Sequence, residues 1–484
     1  MASFYKTILT TPFQLKSGIF VLFSMSTPKQ SSLELGVLPI PRLLIKMAVP
    51  ASIGILVMSI YFIVDTIFVG QFVGPLGIAA ITVVMPISFL ISSIGMAIGV
   101  GGSSIISRAL GSGEKEKAFH TFGNMAAIVL VLVIAVVLAG FLFTIPILKL
   151  FGGQGDILAP AKTYFNILLL GVPGLAWSMM SNNVMRAEGA PKMAMLSMMI
   201  PAVANIILDP IFIIVFDWGM AGAAWATTLS YYMSAGFTWW YFFSGRSELR
   251  LNKKYIQLEG TILREIAAIG GVTLARQGTI SILAIVLNHS LFQYGNEEAV
   301  AVYGIISRIM MFANFPVLGI TQGFLPIAGY NYGAGSVQRV RDTINYSLLS
   351  GSGIAIILFS GILLFATPIV SLFTYDKGLL TTTPPALKLV FLATPLISIQ
   401  LIGSAYFQAI GKAFPALMLT MSKQGFFLIP LVLILPLYFK LDGIWYAFPI
   451  ADVLAASVTY FWLRREMRLN LKEPVMQPTY SSPE

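Results

Sequence analysis

The 484-residue chain contains no cysteine and only two histidines, and 10% of its residues are charged, against roughly a quarter in soluble globular domains. Without cysteine there can be no disulfide, no thiol chemistry and no thiolate metal site. His120 and His289 lie far apart and match no metal-ligand spacing. No G-x-x-x-x-G-K-[ST] loop occurs, and no connection between apolar runs could house an ATPase domain, which argues against nucleotide-driven pumping. The scarcity of charge argues equally against a soluble enzyme, a nucleic-acid reader and a disordered scaffold.

Apolar residues fill the gap: they make up 57% of the chain, and the mean hydropathy is +0.84. Runs of about 20 residues, each long enough to cross a bilayer as a helix, recur from Leu43 to the neighbourhood of Leu463. Twelve spans are read at about 42–70, 77–108, 118–145, 160–186, 192–216, 220–244, 264–290, 297–330, 340–368, 385–410, 412–438 and 443–464. Gly74-Pro75, Gly111-Ser112-Gly113, Gly152-Gly153, Gly189-Ala190-Pro191 and Gly333-Ala334-Gly335 punctuate them. The expected fold is an all-α polytopic membrane protein.

Lys and Arg set the expected orientation. With both termini cytoplasmic, 22 of the 30 basic residues fall on the cytoplasmic side and five opposite (Lys149, Lys162, Lys377, Lys388 and Lys440). Arg276, Arg308 and Lys423 remain inside spans. The net charge of +10 therefore reports topology, and no nucleic-acid partner is expected. Residues 1–40 read as an N-terminal cytoplasmic segment. Its stretch Ser17–Met25 is too short for a span and lacks a small-residue cleavage site, and Met25 reads as a second translation start.

A shift of 222 residues aligns Gly101 with Gly323, Gly111 with Gly333, Gly113 with Gly335, Pro173 with Pro395 and Gly189 with Gly411. The repeat unit holds six spans, an even number, so both halves cross in the same sense, related by a pseudo-two-fold axis along the membrane normal. The domains follow as an N-lobe over 41–245, a cytoplasmic linker over 246–263, a C-lobe over 264–465 and a cytoplasmic tail over 466–484.

Three acidic residues fall well inside spans: Asp65, Asp209 and Asp452. A charge at a helix centre costs roughly 2.5–3.5 kcal/mol on insertion scales, so such residues face a bundle interior or a wet cavity. Asn205 and Asp209 share a helix face at i, i+4, and Pro210 removes a backbone hydrogen bond beside them. Asp65, Asp209 and Thr227 fall at similar depth in the outer half of the first lobe. Hard oxygen donors of this kind suit an alkali cation or a proton. At the 222 offset Asp65, Asn205, Asp209 and Thr227 meet Leu287, Phe427, Leu431 and Pro449, all apolar. Asp452 shows no evident partner and reads as a structural hydrogen-bonder or, with Arg276, Gln277, Arg308 and Gln400, as a substrate-cleft residue.

Asp65-Thr66-Ile67-Phe68-Val69-Gly70, Arg108-Ala109-Leu110-Gly111, Arg186-Ala187-Glu188-Gly189, Asn205…Leu208-Asp209-Pro210 and Gly222-Ala223-Ala224-Trp225-Ala226-Thr227 together resemble the MATE (multidrug and toxic compound extrusion) transporters. The resemblance covers about residues 33–465. It implies a V-shaped pair of six-helix lobes in a bacterial cytoplasmic membrane. It also implies a monomer exporting cationic or amphipathic small molecules in exchange for Na+ or H+, with no cofactor beyond the coupling ion. It assigns Asp65, Asn205, Asp209 and Thr227 to a coupling-cation site, and Pro50, with Pro210, to helix bending. Spans 7 and 10 lack the carboxylates that form a C-lobe cation site in one branch, which favours the DinF- and MepA-like branch.

The alternatives have their own signatures. A lipid-linked saccharide flippase of the same superfamily would want a strongly cationic cavity. A twelve-span major-type facilitator should show a G-x-x-x-D-R-x-G-R-R-like loop where this chain reads Arg-Ala-Leu-Gly-Ser-Gly-Glu-Lys. A non-transport receptor or scaffold gives no reason for a membrane-embedded acidic pair.

Overall fold

The structure, a computed structural model, describes residues 31–471, so Met25 lies outside the described residues. A short helix α1 (Ser31–Val37) precedes span 1 (Ile40–Phe72), span 2 (Pro75–Ser112), span 3 (Lys115–Leu142), span 4 (Leu158–Ala187), span 5 (Pro191–Asp209) and span 6 (Gly219–Phe243). Spans 7 and 8 form one run, Gly260–Gly333, reversing at Asn296, where φ is 57°. The six-residue loop read from the sequence is thus a turn at a single residue. Asparagine is among the side chains that tolerate positive φ best. Span 9 is Val337–Ser371, and span 10 is split into Lys377–Val390 and Ile397–Ala409 around Pro395.

Spans 5 and 11 share an irregularity. Span 5 passes at Pro210 into a π-helical turn, Pro210–Val215. Span 11 runs from Ala413–Met421 through a π-helical turn, Ser422–Leu428, to Ile429–Ile434. Such turns re-aim side chains and are frequent at functional sites. Span 12 belongs to Pro436–Leu469, which breaks at Lys440 (φ 51°). Ten of these helices are long and apolar enough to cross a membrane among the described residues. The 74-residue run supplies two crossings, and Gly219–Phe243 is the right length for another, consistent with twelve.

The internal repeat has a physical counterpart at the lobe interface. A Cβ on Gly111 would collide with the carbonyl of Tyr330, and one on Gly333 with the carbonyl of Arg108. These are the same contact written twice, since 108 and 111 become 330 and 333 at the 222 offset. Only glycine lets the two backbones approach so closely. Gly113 and Gly335 then end spans 2 and 8 at φ 81° and 68°, and Gly189 and Gly411 end spans 4 and 10 at 81° and 82°. Reciprocal contacts of this kind are what a pseudo-two-fold axis produces.

The lobes meet at the end of the molecule that carries most of the basic residues. There Arg108 pairs with Glu265 at 2.5 Å, and the Ser104 hydroxyl donates to the Gln408 carbonyl at 2.5 Å. Helix α1 bonds to both halves. Ser31 donates to the Glu188 carbonyl and Ser32 to Glu248. From the second half, Asn331 donates to the Leu35 carbonyl and Arg339 to the carbonyls of Leu35 and Leu38. The linker is docked too: Asn124 of span 3 donates to the Gln257 carbonyl and accepts from the Glu259 amide.

Candidate functional site

The site is assembled from spans 1, 4, 5 and 6. Span 1 presents Tyr61 and Asp65 one turn apart, span 5 presents Asn205 and Asp209, span 6 presents Thr227 and Tyr231, and span 4 adds Tyr164. Asn205 and Asp209 are wholly buried; Asp65 and Thr227 are 4% and 1% exposed. The carboxyl groups of Asp65 and Asp209 are neighbours, close enough to interact directly. With the Asn205 amide turned to satisfy both its ends, its nitrogen donates to Asp209 Oδ2 at 2.8 Å. Its oxygen then accepts from Thr227 Oγ1 at 3.2 Å and the Thr227 amide at 3.3 Å.

Three tyrosines wall this group. Tyr61 and Tyr164 neighbour Thr227, and Tyr231 neighbours Tyr61. Asp65 Oδ1 is buried with no hydrogen-bond partner. A cavity of about 150 Å³ adjoins it, lined also by Tyr61, Phe62, Ser88, Tyr164 and Tyr231. That space has room for several water-sized groups.

No ion pair among the described residues involves Asp65 or Asp209. Two carboxylates about 4 Å apart repel by roughly 4 kcal/mol at an effective dielectric of 20. A proton or a monovalent cation between them removes that repulsion. Carboxylate, amide, hydroxyl and phenol oxygens supply the hard donors that such an ion takes.

The other residues read from the sequence lie elsewhere. Asp452 pairs with Lys423 across spans 11 and 12. Gln400 is buried and donates to the Leu419 carbonyl at 3.0 Å, tying span 10 to span 11. Arg276 and Gln277 are half-buried on span 7, and Arg308 is exposed on span 8, eleven residues from Gly319 on the same helix face. Gly319 abuts Ser52 of span 1, so Arg308 lies on the face turned to the other lobe. Pro50 sits within span 1, whose helix runs through it without a break. Pro210 is where span 5 changes from α to π geometry.

Comparison with known proteins follows the repeat. Residues 50–211 and 275–434, about two thirds of the chain, match MatE in two blocks, one in each lobe. The chain belongs to the MatE family. The multidrug export protein MepA of Staphylococcus aureus is 29% identical over 440 residues, covering 90% of this chain and 96% of that protein. A multidrug resistance MATE family transporter of the MOP superfamily, solved in an outward-facing conformation, superposes with a TM-score of 0.86. It is 27% identical over 92% of this chain and 99% of that one. A MOP superfamily transporter from Pyrococcus furiosus, described by the reverse polarity of its binding pocket, gives 0.86 and 27%, covering 93% and 100%. MatE proteins are membrane transporters and not enzymes, and so is this one.

Sequence reasoning missed the tyrosine wall and the partner of Asp452. Two of the tyrosines carried a readable signal: Tyr61 precedes Asp65 by four residues and Tyr231 follows Thr227 by four, the spacing that shares a helix face. Tyr164 and Lys423 had none, because each meets its partner only through packing between helices.

Proposed function

We propose that this MatE protein exports cationic or amphipathic small molecules across a bacterial cytoplasmic membrane, with both termini cytoplasmic, in exchange for Na+ or H+ bound by Asp65, Asn205, Asp209 and Thr227. The observation that carries this reading is the pair of neighbouring carboxylates without an ion-pair partner among the described residues, beside a largely apolar cavity into which Asp65, Ser88 and three tyrosines bring polar groups. A multidrug export relative supports the cargo class, and the asymmetry of Lys and Arg supports the orientation.

The closed, basic end is then the cytoplasmic side, and the Arg108–Glu265 pair and the glycine contacts hold it shut while the outer side admits the ion. Ion binding neutralises the carboxylates and shifts the balance between outward- and inward-facing states. An ion with equal affinity for both would shift nothing, so the site must loosen when the lobes rock. Inward movement of one charge supplies about 2.3 kcal/mol per 100 mV, plus its concentration gradient.

The test is ethidium export from proteoliposomes with sodium and proton gradients imposed separately. One gradient should drive export by the wild type, and Asp209→Asn should bind cargo but not respond to that gradient. Gradient-driven export by Asp209→Asn would remove the carboxylate pair from coupling.

A further inference from the structure

Asp452 is the one carboxylate placed well inside a span of the second lobe. Its Oδ1 lies 2.5 Å from Lys423 Nζ, with the two side chains 7% and 13% exposed. The position of this pair in the repeat is informative. Removing the 222-residue offset takes Lys423 to 201 on span 5 and Asp452 to 230 on span 6. In the first lobe Asn205 and Thr227, four and three residues away on those same helices, bridge spans 5 and 6. Both displacements run toward the basic end. The Lys423–Asp452 pair therefore joins the equivalent two helices one turn deeper than the Asn205–Thr227 contact. Spans 5 and 11 also each carry a π-helical turn, though at a different register: Pro210–Val215 directly after Asp209, and Ser422–Leu428 around Lys423, which corresponds to 200–206 in the first lobe.

We propose that Asp452 is a second monovalent-cation site, held closed by the Lys423 ammonium as a tethered cation, so that only the first lobe draws on the ion gradient. The chemistry is that of the first lobe with the ion made covalent. A carboxylate buried between two helices needs a positive charge; Asp65 and Asp209 have none from the described residues, whereas Asp452 has one it cannot release. Packing alone gives no reason for the pair, since a buried ion pair is worth little more than an apolar pair of similar volume. Lys423 thus fixes how many ions accompany each cycle, an inference that rests on reading the first-lobe site as the coupling site.

The experiment measures equilibrium 22Na+ binding at pH 8, and proton uptake in weakly buffered solution, on the full chain purified in detergent. Asp209→Asn should lose the wild-type ion. Adding Lys423→Met, or Lys423→Gln in case the first folds poorly, should restore one saturable ion per chain, and adding Asp452→Asn to either should abolish it. Lys423→Arg, which keeps the tethered charge, should restore nothing. If neither the Met nor the Gln variant gains Na+ or a proton, the proposal is overturned. If Asp209→Asn binds as the wild type does, the first-lobe reading fails instead. The present proposal is then decided by whether Lys423→Met alone adds one ion to the wild-type count.

Discussion

The two lobes share a fold and a repeat but treat buried negative charge in opposite ways. In the first, Asp65 and Asp209 come together with no basic partner among the described residues, Asp65 Oδ1 unbonded beside a cavity. In the second, a single carboxylate is matched by a single lysine at 2.5 Å. The apolar residues at Leu287, Phe427, Leu431 and Pro449 leave the second lobe no copy of the first-lobe site. A symmetric scaffold thereby supports an asymmetric machine. Under the proposed function, one lobe gains and loses a charge during the cycle while the other keeps its charge constant.

The comparison breaks most visibly in the first lobe. Asp65→Asn, like Asp209→Asn, is expected to remove gradient-driven export entirely while leaving the protein folded, because an amide fits the same pocket without attracting an ion. Counterflow of labelled cargo without a gradient should survive, separating coupling from cargo recognition. In the second lobe the order of importance reverses, and stability suffers before transport does. Asp452→Asn strands a buried ammonium, and breaking one side of such a pair costs about 3–5 kcal/mol. A fall of many degrees in the melting temperature is expected, recovered in large part by adding Lys423→Met. A single variant as stable as the wild type would show that the pair is more hydrated than its 7% and 13% exposures imply.

A third contrast lies between the membrane interior and the closed basic end. Glu188, just past span 4, is wholly buried and accepts hydrogen bonds from the Tyr241 hydroxyl, from Ser247 Oγ at 2.7 Å and from the Glu248 amide at 3.1 Å. Burial pushes its carboxyl up to about 7, although those donors and the nearby Glu248 act on it as well. A carboxyl that holds its proton more tightly when folded makes the folded state lose ground as pH rises from its ordinary value toward 7. The unfolding free energy should therefore fall by up to about 1.4 kcal/mol per pH unit for one such group, mainly between pH 5 and pH 7, with the melting temperature declining over that range and levelling off above it. Glu188→Gln should flatten that slope. An unchanged slope would place the titrating group elsewhere.

How much of this could be read in the sequence depended on whether a feature was local or assembled. Helix-length apolar runs, paired glycines at a constant offset and the i, i+4 spacing of Asn205 and Asp209 are local or periodic, and they led to a two-lobed helical transporter and to four residues that the structure brings together. The breaks at Asn296 and Lys440 fall in the gaps 291–296 and 439–442 read between spans. What was not legible is that each reversal turns on a single residue with positive φ, since neither is a glycine. Asp452 had no visible partner because Lys423 lies 29 residues away on another helix. Their meeting depends on how span 11 winds through its π-helical turn. Pro50 is the opposite case: a local signal for bending in a helix that runs unbroken here.

The smallest expected effect probes the finest difference between the lobes, the hydroxyl of Thr227, whose repeat mate is Pro449. That hydroxyl meets Asn205 at 3.2 Å, so it positions the amide that contacts Asp209 and, in the proposed site, also offers an oxygen to the ion. Thr227→Val keeps the shape and deletes one hydrogen-bonding group, a change worth about 1 kcal/mol net. That is roughly a fivefold loss of affinity. The half-saturating concentration of the driving ion should rise about fivefold while the maximal export rate stays near the wild-type value, and Thr227→Ser should restore the affinity. A fall in maximal rate with unchanged ion affinity would mean that Thr227 acts in the rocking of the lobes rather than in holding the ion. The functional asymmetry between the lobes would then rest on the carboxylates alone.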